Sequence, residues 1–311
     1  MRTTRMNILL PFLSAVSILA GCGEKTQPDA KAVPSPLTFT TAQAGVALSN
    51  VVAFVSECTP RDGGTPGSDR AAVWLQARLA HRGVTAAIDR FTDYTPEGPR
   101  PFANVLATIP GTGDEWVVLL SHFDTKCRIA NEFQGANDGG SSTGLLLELA
   151  AALQATAPHR LNVLCAFLDG EECRLGYSDR DGFHGSRHLA KAMKREGKKV
   201  KAVILMDMVG DRDLKLTLPH NGTAALRVLA LEAAEATGDR AKIGLFDGII
   251  YDDHQAFLDQ GYPAIDLIDL VYGSRPGEND YWHTTRDTPD KLSADSLLTT
   301  GRIVMELLKR L

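Results

Sequence analysis

The apolar positions of this chain fall into two alternating rhythms. Residues 42–55 and 68–81 carry helical spacing, and the second segment opens at Ser68-Asp69 with side chains suited to a helix N-cap. Residues 84–91 and 102–109 read as strands joined through a loop containing Pro and Gly. From there strand-like and helix-like segments take turns. Strands are predicted at 116–120, 161–168, 200–206 and 263–270. Helices are predicted at 141–153, 186–196, 223–237, 255–260 and 293–311. Such alternation predicts an α/β fold with a mixed, largely parallel central sheet flanked by helices on both faces. The first two strands, close in sequence, are expected to add antiparallel pairing at one edge.

The polar residues that interrupt this pattern sit at strand ends. The apolar run 161–168 stops at Asp169-Gly170-Glu171-Glu172, and the chain ends of buried strands are where α/β proteins place ligand sites. Side chains alternate along an extended chain, so one glutamate can face a cation while its neighbour handles a proton. Strand 116–120 gives way to Ser121-His122-Phe123-Asp124, and a glycine-flanked turn, 135–140, sets Asp138 just before a helix. Strand 200–206 ends at Asp207, and Tyr281-Trp282-His283-Thr284 follows late in the chain. Singly, each is an ordinary polar residue with a satisfied partner. Together, imidazole nitrogen and carboxylate oxygens form a ligand set suited to zinc, with a position left open.

Composition narrows the setting. The 311 residues are 44% hydrophobic and 23% charged, which suits a soluble globular protein with one large domain behind its N-terminus. A net charge of -5 gives no electrostatic case for nucleic acid as a partner. Arg2 and Arg5 precede a short apolar stretch ending in small residues, so residues 1–21 read as a signal peptide. Leu19-Ala20-Gly21-Cys22 resembles the bacterial lipobox, which makes Cys22 the expected lipidation site. Residues 22–40 follow as a polar tether and 41–311 as the catalytic domain. The expectation is an exported bacterial lipoprotein, anchored to a membrane through Cys22 and facing the periplasm or the cell surface. Cys58, Cys127, Cys165 and Cys173 fit no zinc-ribbon spacing. Cys165 falls inside a predicted buried strand, where a free thiol is favoured, and the pairing of the four is left open.

His122-x-Asp124, the 135–140 turn with Asp138, Glu171-Glu172, Asp207 and His283 together resemble the zinc exopeptidases of the M28 type. That family holds both aminopeptidases and the glutaminyl cyclases that share their fold, and the resemblance covers roughly residues 45 to 305. It implies that Asp138, Glu172 and His283 hold a zinc ion. In a two-zinc aminopeptidase, His122, Asp138 and Asp207 would hold the second, with Glu171 as general base toward water. The segments between these residues look like the cyclases instead. Phe183-His184-Gly185-Ser186-Arg187-His188-Leu189-Ala190 is similar to their YGSRHLA stretch, Ser121 to Lys126 to HYDSK, and Tyr251-Asp252-Asp253-His254-Gln255-Ala256-Phe257-Leu258 to QDDHIPFL. Trp282 directly before His283 is a further cyclase trait. Departures are Tyr177, standing where a pocket tryptophan is expected, and the 272–281 loop, whose length differs.

The cyclase resemblance implies one zinc ion and peptide or protein N-termini as substrates. An N-terminal glutamine would close on itself, with Glu171 moving the proton and Asp207 and Asp252 sharing protons with it. Trp282 and Tyr177 are expected to form flat apolar pocket walls, with His254 beside them. A non-catalytic binding domain on the same fold is disfavoured, because every candidate position retains a chemically competent side chain.

Overall fold

A computed structural model describes residues 37–311. The predicted signal peptide, Cys22 and most of the tether lie outside the described residues. Phe39, near the end of that segment, is buried and packs against Gly301.

The first helix, α1, spans Thr41–Cys58, and α2 spans Pro66–His81. The N-cap of α2 is Thr65 rather than Ser68: the Thr65 side chain accepts from the Gly67 and Ser68 backbones, and the Ser68 hydroxyl closes the box from the N3 position. Pro66 at the first helical position needs no hydrogen-bond partner for its nitrogen, which fixes the start there. Strands β1 (Ala86–Thr95) and β2 (Gly98–Ile109) are longer than the apolar pattern suggested and form one hairpin, in register from Ala86 opposite Ala107 to Thr95 opposite Gly98.

The remaining elements are β3 (Glu115–His122), α3 (Gly140–Ala155), β4 (Asn162–Leu168), α4 (His184–Arg195), β5 (Lys199–Asp207), β6 (Leu216–Pro219), α5 (Ala224–Thr237), β7 (Ile243–Phe246), α6 (Asp253–Leu258), β8 (Ala264–Asp269) and α7 (Ala294–Arg310). They build an eight-stranded sheet in the order β1-β2-β4-β3-β5-β8-β6-β7. Strands β4, β3, β5 and β8 are mutually parallel, while β2 joins β4, and β6 joins β8, in antiparallel fashion. Antiparallel pairing thus flanks the parallel centre on both sides. The two four-residue strands β6 and β7 escaped the sequence pattern, being too short to show a period.

Side chains of the central strands divide cleanly between two helical layers. Val117, Leu119, Cys165, Phe167 and Ile204 join the core under α1, α3 and α7. Val118, Leu120, Leu164, Ala166 and Leu205 pack beneath α4 and α6. Each buried Val, Leu, Ile or Phe among them contributes about 1.5–3 kcal/mol, so the register that puts these residues inside is strongly fixed. That register carries His122, Glu171, Glu172 and Asp207 to the same edge, since parallel strands end together. Among the described residues Cys58, Cys127, Cys165 and Cys173 are buried free thiols, and no helix is long and apolar enough to cross a membrane.

Candidate active site

The β4 chain leaves the sheet at Gly170, whose φ of +78° only glycine adopts freely, and a Cβ there would lie 2.5 Å from the Phe102 ring. The next two residues are held by one carboxylate. Asp124 accepts from the Glu171 backbone N–H at 3.1 Å and from that of Glu172 at 3.2 Å, and its Oδ1 lies 3.6 Å from His122 Nδ1. From sequence, Asp124 stands only as part of the His122-x-Asp124 motif; fully buried, it organises three candidate residues at once.

Asp138 arrives from the 135–140 turn. Its backbone N–H and that of Asn137 donate to Asp287, which in turn accepts from the Tyr272 hydroxyl at 2.8 Å. The buried Arg61 guanidinium donates to the carbonyls of Phe123, Gln134 and Gly135 and so ties this turn to the end of β3. Gly139 lets the turn approach β3 closely, as a Cβ there would come within 2.8 Å of His122 Cε1. Neither Arg61 nor Asp287 was singled out from sequence. Only the position of Asp287, four residues after His283, offered a hint.

Asp138 then divides its two oxygens. Oδ1 lies 3.2 Å from His122 Nε2, which is also 3.2 Å from Asp207 Oδ1. Oδ2 lies 3.2 Å from His283 Nε2, which is 2.8 Å from Glu172 Oε1. Two groups able to hold a metal ion result: Asp138, Glu172 and His283, and His122, Asp138 and Asp207. His283 and Met208, the neighbour of Asp207, both adopt positive φ without being glycine, a cost of about 1–3 kcal/mol each that marks a shaped site.

The residues fit zinc. Asp138 Oδ2 is buried without a well-aligned hydrogen bond, facing His283, and Asp138 belongs to both groups of converging ligands. One imidazole and two carboxylates leave a tetrahedral ion an open position. Without a cation the histidines answer the carboxylates. Burial disfavours charge on His283, yet Asp138 and Glu172 push it up to about 10. His122 is likewise raised well above the usual imidazole range against burial, by Asp124, Asp138 and Asp207. Asp138, facing both rings, is held below the ordinary carboxylate range although burial opposes it.

Glu171 differs from its neighbour. Burial, then the charges of Glu172 and Asp252, raise its carboxyl well above the usual range. Its oxygens lie 3.3 and 3.4 Å from the Tyr177 hydroxyl, which is 3.2 Å from Glu172 Oε2. Tyr177 is therefore more than the flat wall expected: its ring stacks on Phe183, and its hydroxyl donates into the glutamate pair. Lys126 Nζ completes this side, donating to the Cys173 carbonyl at 2.6 Å and standing 3.4 Å from Glu172 Oε2.

A cavity of about 370 Å³ opens over these groups, lined by Asp138, Glu171, Glu172, Asp207, Asp252 and His283 and walled by Tyr177, Ile249, Tyr251 and Trp282. Trp282 stacks on the His283 ring at 3.9 Å between centroids. Asp252 enters from the N-cap of α6, its carboxyl raised well above the usual range by burial and by Asp266 and Asp207. His254 does not line this cavity. One turn of α6 directs it inward, fully buried, where Nε2 meets Asn221 at 3.1 Å and Nδ1 lies 4.0 Å from Asp266.

Residues 104–308 match peptidase family M28, and the chain belongs to that family. Glutaminyl cyclases are among its relatives. The chain is 27% identical over 274 residues to the glutaminyl-peptide cyclotransferase of Drosophila melanogaster, covering 78% of this chain and 76% of that one. It is 29% identical over 277 residues to the glutaminyl-peptide cyclotransferase-like protein of Bos taurus, covering 78% and 70%. A solved glutaminyl cyclase from an Acidobacteriales bacterium superposes with a TM-score of 0.81 at 33% identity, over 91% of this chain and 98% of that one. A leucine aminopeptidase precursor from Bacteroides thetaiotaomicron VPI-5482 shares the fold, with a TM-score of 0.74 at 22% identity over 88% and 98%.

Proposed function

We propose that this chain is a zinc-dependent glutaminyl-peptide cyclotransferase that converts the N-terminal glutamine of peptides and proteins to pyroglutamate and releases ammonia. The observation that carries the reading is Glu171: a carboxyl raised by burial, touching the Tyr177 hydroxyl and adjoining the Asp138–Glu172–His283 group in one cavity. The cyclase relatives support it. Asp138, Glu172 and His283 would hold one zinc ion. Bound there, zinc supplies Lewis-acid polarisation of the γ-carboxamide carbonyl.

The protein's own groups handle the proton. As the α-amine nitrogen bonds to the γ-carbon, Glu171 takes a proton from it. Glu171 returns that proton to the amide nitrogen as the carbon–nitrogen bond breaks and ammonia leaves. A carboxyl with a raised pKa suits both transfers, which contribute roughly 100- to 10,000-fold. Asp252 and Asp207 surround Glu171 with further carboxyls, and mutual repulsion retains a proton among them. Trp282, held flat on His283, and Tyr177 confine the glutamine side chain.

The sequence pattern at Cys22 supports an exported lipoprotein acting at a membrane surface. Palmitate labelling of the full chain, lost in Cys22→Ala, checks this.

A second reading is a two-zinc aminopeptidase, favoured by the complete His122–Asp138–Asp207 group. The test is direct. The purified protein is expected to release ammonia from Gln-initiated peptides, to leave Leu-initiated amides intact and to carry near one zinc per chain. Hydrolysis of leucine amides without cyclisation, with two zinc ions, would overturn the cyclase reading.

A further inference from the structure

A second cavity, of about 520 Å³, adjoins the one over the glutamates, and the two share Tyr177 and Tyr251 as common walls. The first holds all the candidate chemistry. The second holds none, so it bears on whatever lies past the reacting residue. Much of its lining is aromatic and apolar: the exposed rings of Tyr177 and Tyr251, the half-buried Phe183 and the buried Ala256. At its outer end stand the exposed carboxylates of Asp179 and Asp259. Among the described residues neither forms an ion pair, and Asp259 accepts only from the Gln255 amide, at 2.8 Å.

Arg187 is the one cation on this lining. It is half-buried, and its guanidinium donates to the backbone carbonyls of Ser178 and Gly182, which fixes it to the wall of the 176–182 loop. The cavity therefore offers aromatic faces, two carboxylates without an ion-pair partner, although Lys191 shares an adjoining hollow with both, and a cation directed into the protein's own backbone. That pattern suits a long side chain with an apolar stem and a cationic head. The stem lies against the rings, and the head reaches the carboxylates with added attraction from the tyrosine faces.

We propose that this cavity is a specificity subsite for the side chain that immediately follows the N-terminal glutamine, and that it selects lysine or arginine there. The inference rests on the cyclase reading and names the peptide class which that reading leaves open. Exposed pairs of this kind are individually weak, and two acting together are worth roughly three- to tenfold in kcat/KM.

The experiment compares kcat/KM for Gln-Lys-, Gln-Leu- and Gln-Glu-initiated tripeptide amides on the purified protein, at low and high salt. The expected order is Lys over Leu over Glu. The Lys-to-Glu ratio should shrink as salt rises and approach one in Asp179→Asn/Asp259→Asn. Both positions are exposed, so the double variant is expected to fold. Equal rates for Lys and Glu, a preference for Glu through Arg187, or a Lys preference surviving in the double variant would overturn the subsite while leaving the cyclase reading intact. No ammonia from any of the three peptides would overturn the cyclase reading and the subsite with it.

Discussion

Asp124→Asn isolates the group that places the two glutamates. The carboxylate accepts backbone N–H groups at 3.1 and 3.2 Å from consecutive residues and has no solvent exposure. Asparagine has nearly the same shape but one oxygen. Whichever way its amide settles, an NH₂ group confronts either the Glu171 or the Glu172 N–H. One charge-assisted hydrogen bond is lost, a buried donor is left unpaired, and the surviving bond becomes a neutral one, together about 2–4 kcal/mol. For a chain of this size that lowers the thermal midpoint by roughly 4–10 °C. If half of that strain is relieved by displacing the glutamates, kcat falls on the order of tenfold or more, because about 1.4 kcal/mol is a factor of ten. Trp282 and Tyr177 stay in place, so KM changes little. Calorimetry and steady-state kinetics on the same preparation check both quantities. A midpoint within 1 °C of the parent together with an unchanged kcat would refute the reasoning, and so would a loss carried wholly by KM.

Glu171→Gln is expected to lower kcat by roughly 100- to 10,000-fold with the bound zinc retained, since the amide can accept from Tyr177 but cannot carry the proton; metal analysis alongside kinetics separates this from loss of the ion. Chelation should abolish activity and lower the thermal midpoint, because Asp138 and Glu172 then converge with only the histidines and Lys126 to offset them; zinc should restore both, and a chelated protein that melts unchanged would argue against a site there. In the metal-free protein burial raises Asp253 and Asp269 to about 7, far above their unfolded values. Their contribution is fully present below about pH 4 and is lost as the pH rises through 7, so the chelated protein should melt lower at pH 8 than at pH 5.5. Asp253→Asn should reduce that difference, and a midpoint rising over this range would contradict the assignment.

Much of this was legible because each of the features concerned is local. Parallel strands in an α/β pattern end on one edge, so His122, Glu171, Glu172 and Asp207 could be brought together from chain order alone. Asp138 and His283 were identifiable by motif. The support behind them was not, since it depends on contacts distant in sequence. Arg61 reaches Phe123 and Gln134 from over sixty residues away in the chain, and nothing in its surroundings, Pro60 and Asp62, announces a buried cation. The polar role of Tyr177 was hidden for a related reason: an aromatic at a pocket position reads as a wall until the hydroxyl is located. His254 shows the converse. A histidine inside a recognisable motif reads as part of the substrate pocket, yet six residues of helix suffice to turn it into the core beside Asn221.

The two candidate metal groups share Asp138, and that sharing connects ion number to acid–base chemistry. Asp138, Glu171, Glu172, Asp207 and Asp252 are five carboxyls around one cavity, and Lys126 is the lysine at its edge. A single divalent ion leaves a surplus of negative charge in a buried setting, where like charges penalise each further ionisation. Burial and neighbouring carboxyls raise both Glu171 and Asp252 in the metal-free chain, so Glu171, once ionised, is a strong base toward the substrate amine. A second ion at His122 and Asp207 would offset most of that surplus and lower the proton affinity of Glu171, leaving it a weaker base toward an amine but a sufficient one toward an activated water. The same side chains therefore support amine chemistry with one ion and water chemistry with two. On this argument, filling the His122–Asp207 group with excess zinc should inhibit cyclisation by lowering the apparent pKa attributed to Glu171 in the kcat/KM–pH profile. Inhibition with an unshifted profile would assign the effect to simple obstruction.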